Sequence, residues 1–312
     1  MNDQESPQEP QTTLPSIEHY FGAVKTGRHY WWHWLTGVCL MLLIFLAMLI
    51  SLAVVFGLCE DLIDFNLTVV DGQELANLVV LLLSFLVAFV AIAVIQKFWH
   101  RRPVAGLITS AKKFRWGNCC RAMVVFFVLV FLFNPVLIWF SGTWDRISIN
   151  GIWPFLIGIL ILVPLVPIQS ACEEILFRGY LNQALSKYLK YPILVYLATS
   201  LLFSLAHALN EEAYIQMWPY LVCIFAFAAG ACVLLHLEGG LESAMGYHIA
   251  NNLFAFCVLG GELEDMPELS LFYLRGTPKV TMLDACYEVL MVVGVVALTL
   301  VWNRRAARNK SC

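Results

Sequence analysis

Three short clusters in this chain carry residues suited to hydrolytic chemistry. They are Glu173-Glu174-x-x-x-Arg178, Phe203-x-x-x-His207 and His248-x-x-x-Asn252. Glu174 and Arg178 are four residues apart, so on a helix they share a face and can pair. Glu173 is turned about 100° away and is free to meet something else. A carboxylate able to take a proton from water, two imidazoles and an amide are the parts needed to hydrolyse a peptide bond. Glu173 and His207 would hold and deprotonate the water. His248 and Asn252 would donate to the developing oxyanion, an interaction that contributes about 3–4 kcal/mol. A zinc version uses the same side chains: Glu173, His207 and His248 as ligands, with one place open for water. There is no His-Glu-x-x-His motif, and the metal-free reading needs no cofactor.

Each cluster lies in or beside an apolar run, where an ionisable side chain costs at least a few kcal/mol and usually has a function. Of the 312 residues, 60% are hydrophobic and 13% charged. A soluble protein of this length could not cover so much apolar surface, so the composition predicts a polytopic membrane protein. No basic stripe interleaved with aromatics supports nucleic-acid binding. The ten cysteines show no paired spacing and read as small apolar residues.

About 20 apolar residues cross a bilayer as a helix. That criterion predicts an all-α bundle of eight spans, near 34–58, 75–96, 122–141, 152–172, 191–210, 214–236, 241–260 and 280–302. Residues 1–20 are expected to be a disordered tail, 21–303 the membrane domain with its motif-bearing core at about 150–260, and 304–312 a basic tail. Lys97, Arg101, Arg102, Lys112, Lys113, Arg115 and Arg121 fall between the second and third spans, and Arg304, Arg305, Arg308 and Lys310 follow the last. The positive-inside rule then places that loop and both termini in the cytoplasm. The sequon Asn66-Leu67-Thr68 falls in an outward loop. Asp284 and Glu288, one turn apart near an outward end, read as interfacial.

The ordered series EExxxR, FxxxH and HxxxN on successive spans, from about Ile168 to Phe256, resembles the CPBP family of intramembrane proteases. That family includes the type II CAAX prenyl endopeptidases and the bacteriocin-processing, self-immunity proteases. The stretch Gly239-Gly240-Leu241-Glu242-Ser243 is similar to the glycine/serine turn ahead of the family's third motif. The resemblance implies an intramembrane endopeptidase of the bacterial inner membrane, acting on a membrane-associated protein or peptide. It implies Glu173 and His207 as the water-activating pair and His248 with Asn252 as the oxyanion hole. Glu174, Arg178 and Phe203 would support them.

Two other classes share these features. One is a non-catalytic immunity or scaffold protein of the same fold. The other is a proton- or ion-coupled transporter, against which stands the lack of repeated halves. The span map also sets a structural demand. It puts Glu173 at the inner end of one span and His207 far across the next, whereas catalytic groups must meet at one depth. A segment ending at Pro164 or Pro167, followed by a new helix over 168–188, would bring Glu173 into the bundle.

Overall fold

The computed structural model describes residues 17–58, 70–261, 267–276 and 279–311. The sequon and most of the expected tail lie outside them. The described chain is a helical bundle, and six of its helices are long and apolar enough to cross a membrane. In chain order the helices are α1 (Ile17–Gly22), α2 (Trp31–Leu58), α3 (Gly72–Val94), α4 (Ala105–Ile108), α5 (Trp116–Ser141) and α6 (Ile152–Glu174). There follow α7 (Asn182–Ser186), α8 (Pro192–Ala206), α9 (Glu211–Glu238), α10 (Glu242–Leu253) and α11 (Met282–Ser311).

Of the eight expected spans, six meet this criterion of length and composition among the described residues and two do not. Helix α8 has 15 residues, about 22 Å at 1.5 Å per residue, short of a hydrocarbon core of about 30 Å. Helix α10 is buried along its first nine residues, Glu242 to Ala250, packed between α5, α6 and α9. Its neighbours, rather than lipid, satisfy its small and polar side chains. A hydropathy window cannot separate a helix wrapped in protein from one wrapped in lipid.

The prolines do not end α6. It runs through Pro164 and Pro167 into a π-helical turn, Ile175–Leu181, and on through α7. The whole forms a 35-residue apolar rod from Ile152 to Ser186. This removes the depth conflict. Glu173 lies 13 residues before the end of the rod, and His207 lies 15 residues beyond the start of α8. With the two helices joined by a short turn, these are climbs of about 20 and 22 Å from the same end.

That end collects the basic residues. The Arg28 amide donates to the His100 carbonyl (2.9 Å), Arg102 donates to Gln183 Oε1 (2.6 Å), and Arg121 donates to Asn303 Oδ1 (2.6 Å). Residues 17–20, expected to be disordered, belong to α1, and Tyr20 is buried with its hydroxyl on the Leu107 carbonyl (2.5 Å). The basic stretch from 304 is the last turns of α11 and not a separate tail.

At the other end is a three-stranded sheet that hydropathy does not reveal. It is made of β1 (Ile147–Ile149), β2 (Leu259–Gly261) and β3 (Phe272–Leu274), in the order β1-β3-β2. Strand β3 pairs antiparallel with β1 and parallel with β2.

The turn that launches α10 is fixed by charge. Arg115 grips Glu242 with Nε at 3.0 Å and Nη2 at 2.6 Å, and its Nη1 donates to the Glu238 carbonyl (2.9 Å). Gly239 has φ +62, a left-handed conformation that glycine adopts without strain. A Cβ on Gly240 would stand 2.3 Å from Glu242 Oε2 and 2.5 Å from Arg115 Nη2. The two glycines thus let one arginine clamp the turn six residues ahead of His248.

Candidate active site

Helix α6 presents Gln169, Ser170, Glu173 and Glu174 within one and a half turns. Glu174 is completely buried, and its Oε1 meets Arg178 Nη1 at 3.1 Å and His248 Nδ1 at 2.8 Å. The expected Glu174–Arg178 pair is therefore present but does more than expected, because the same oxygen also holds the imidazole. Arg178 is in turn stacked over Phe203, with Cζ 4.2 Å from the ring centroid. A buried carboxylate requires such compensation, since an unpaired charge out of water costs several kcal/mol.

His248 is 3% exposed. Its ring stands edge-on to Phe227 at 5.0 Å and Phe203 at 6.0 Å. With Nδ1 on Glu174, Nε2 points to Glu173 and lies 3.6 Å from its Oε2. Glu173 accepts a second contact from Gln169 Nε2 (3.3 Å) on the preceding turn, while its Oε2 has no hydrogen-bond partner. One imidazole therefore bridges the two adjacent glutamates.

Asn252 follows His248 by one turn and lies on the same face. Its Nδ2 donates to Ser170 Oγ (3.3 Å), and its Oδ1 accepts from Asn251 Nδ2 (3.1 Å). The second contact sets the orientation of the amide and leaves one N–H for a substrate. His207 caps the C-terminus of α8, and its Nδ1 lies 2.8 Å from the Phe203 carbonyl. A proton on Nδ1 satisfies that carbonyl and leaves Nε2 as an acceptor.

Glu173, His207, His248 and Asn252 line one cavity of about 360 Å³, with Phe203 in its wall. Among the described residues no hydrogen bond joins His207 to Glu173. No three His, Cys, Asp or Glu side chains in the described residues converge as a metal-ligand set. The zinc set of Glu173, His207 and His248 is thus not assembled. His248 reaches Glu173, but its other nitrogen is held by Glu174 and His207 stays across the cavity.

Several lining residues are not marked by the motifs. Glu288 is not interfacial: Asp284 caps the start of α11 by accepting from the Thr281 amide (2.7 Å), but one turn later Glu288 faces the cavity and accepts from Tyr247 Oη (2.9 Å). Glu212 and Tyr220 enter from α9, which breaks at Gln216 (φ −145, ψ 70) just before Pro219. The β2 strand and residues 267–270 close the top. Spacing on a single helix gives no sign of these, apart from the Pro219 break.

The fold and site define a polytopic helical membrane protein with a cavity that carboxylate and imidazole side chains line. Residues 149–254 match the family model described as type II CAAX prenyl endopeptidase Rce1-like. The match covers the motif-bearing core, about a third of the chain's length. It is also similar to the uncharacterized protein YyaK of Bacillus subtilis (strain 168), with 27% identity over 237 residues, covering 72% of this chain and 75% of the relative. No solved structure matches.

Proposed function

We propose that this protein is an intramembrane endopeptidase acting on a membrane-associated protein or peptide, with its basic end and both termini in the cytoplasm. The observation that carries this reading is the convergence of Glu173, Glu174 and His248, within 3.6 Å, on a cavity that His207 and Asn252 also line. A water in that cavity gives a proton to Glu173, with His207 Nε2 accepting its second hydrogen bond. The water oxygen attacks the peptide carbonyl carbon as the carbon–oxygen π bond opens onto oxygen. The oxyanion accepts from the free Asn252 Nδ2–H and from His248 Nε2–H, the ring being doubly protonated with its Nδ1–H on the Glu174 carboxylate. Collapse of the intermediate breaks the carbon–nitrogen bond, and the proton on Glu173 passes to the leaving nitrogen. Glu174, anchored by Arg178, keeps the imidazole turned so that Nε2 faces the substrate.

The family match supports protease chemistry, and the apolar cavity that shares Glu173 and His207 with the site supports a substrate delivered from the membrane. The test compares the membrane proteomes of cells carrying the wild-type chain or Glu173→Gln. The expected result is a membrane-associated precursor that accumulates only in the variant. Matching His207→Ala and His248→Ala variants should accumulate the same precursor, and a strong chelator should not. An unchanged proteome in Glu173→Gln would remove the peptidase reading, and loss of turnover restored by zinc would establish the metal version.

A further inference from the structure

The catalytic chamber is one-sided in charge. The charged residues lining it are Glu173, Glu212, Glu268 and Glu288, with no Lys or Arg among the described lining residues. The buried cation nearest the site, Arg178, is committed to Glu174 and Phe203 behind the wall. Among the described residues, Glu288 accepts from the Tyr247 hydroxyl and makes no ion pair. Glu212 makes no ion pair among the described residues.

A second cavity of about 750 Å³ runs between α2, α3 and α6, lined by apolar side chains such as Met41, Phe45, Leu81 and Phe85. It shares Glu173, His207, Asn210 and Glu212 with the first. Glu212 therefore stands at the junction of an apolar groove and the proposed catalytic groups, and the groove too is lined by no Lys or Arg among the described residues.

We infer that the substrate is a peptide with an apolar segment that occupies the groove and a basic side chain beside the scissile bond, received by Glu212 and Glu288. This rests on the peptidase reading and specifies its substrate class. Carboxylates such as Glu212 and Glu288, in a site of low dielectric, attract a cation and repel an anion more strongly than in water. A substrate ending in a free carboxylate close to the bond would add a negative charge with no cation to meet it. The chamber selects against such an end, and for an internal bond or a blocked terminus.

The test uses the full chain in liposomes and a set of fluorogenic peptides with one apolar flank. The residue next to the cleaved bond is Lys, Gln or Glu, and the C-terminus is amidated or free. The expected kcat/KM falls in the order Lys, Gln, Glu, with Lys over Glu by about tenfold or more. The Lys-to-Glu ratio should shrink at least severalfold in Glu212→Gln and in Glu288→Gln, and should invert in Glu212→Lys. Because each value is a ratio within one protein sample, a partial loss of folding cancels. Equal cleavage of all peptides by the wild type, or a ratio that neither glutamine variant changes, overturns the charge selection and leaves the peptidase standing. Cleavage of none of them overturns both.

Discussion

Glu174→Gln separates two consequences of one buried carboxylate. The carboxylate is fully buried and serves Arg178 at 3.1 Å and His248 at 2.8 Å. Amidation keeps the shape and one acceptor oxygen but leaves the Arg178 charge without a counter-charge. Two unit charges 3.1 Å apart attract by about 5 kcal/mol at an effective dielectric of about 20. Breaking a buried pair from one side costs about 3–5 kcal/mol. The retained cation–π contact with Phe203 favours the lower end, so a loss of about 3 kcal/mol is expected. At 2–3 °C per kcal/mol that lowers Tm by roughly 6–9 °C, read from thermal unfolding in detergent. The effect on rate is of a different kind. A carboxylate that orients an imidazole and balances its positive charge can be worth about 10⁴ in kcat when exchanged for an amide. Here kcat/KM for a cleaved peptide should fall by about 10²–10⁴. The double variant Glu174→Gln/Arg178→Met removes the stranded cation and should recover much of the Tm without recovering the rate. A single variant with unchanged Tm and kcat/KM within twofold of wild type would refute the coupling of Glu174 to both partners. So would a double variant that recovers both quantities together.

Helix contact and pH give two further tests. A Cβ on Gly246 would lie 2.1 Å from the Cys119 carbonyl oxygen. Gly246→Ala must push α10 off α5 and should cost about 3 kcal/mol or prevent folding. Gly106→Ala, whose new methyl meets only Pro103 at 3.9 Å, serves as the control with Tm unchanged. At the basic end, burial lowers His100 from 6.5 to about 4, the neighbouring Arg102 charge adds to this, and its contact with the Arg28 carbonyl opposes it. A histidine whose folded pKa is depressed supports the fold above its unfolded pKa. That support is lost as pH falls from about 6.5 to about 4, and the loss then levels off at about 3 kcal/mol. Thermal scans across this range should show the fall in Tm, and His100→Asn should flatten it.

Much of the site could be read from the chain. Glu174 and Arg178 pair because four residues is one helical turn, and His248 and Asn252 share a face for the same reason. Both relations are local, so spacing determines them. The clustering of Lys25, Arg28, Lys97 to Arg121 and Arg304 to Arg308 at one end follows from alternating helices, which the apolar runs already imply. The assignment of Glu288 to the interface failed because a one-turn spacing from Asp284 says nothing about which neighbour stands opposite. Tyr247, on another helix, is what turns Glu288 inward. Only six of the eight expected spans meet the length-and-composition criterion among the described residues, because hydropathy registers apolar length and not the identity of the surrounding phase.

The sequence alone determined the membrane class, the three motifs and the pairing of residues within each helix. It did so because composition and helical periodicity act over a few turns. Only the tertiary structure decided that α6 continues past both prolines to Ser186, bringing Glu173 to the depth of His207. It alone placed one imidazole between two adjacent glutamates, and left the cavity lined by glutamates with no Lys or Arg among the described residues. Those facts depend on which helices pack together. Contacts between residues 74 or more positions apart settle that, and no local pattern encodes them.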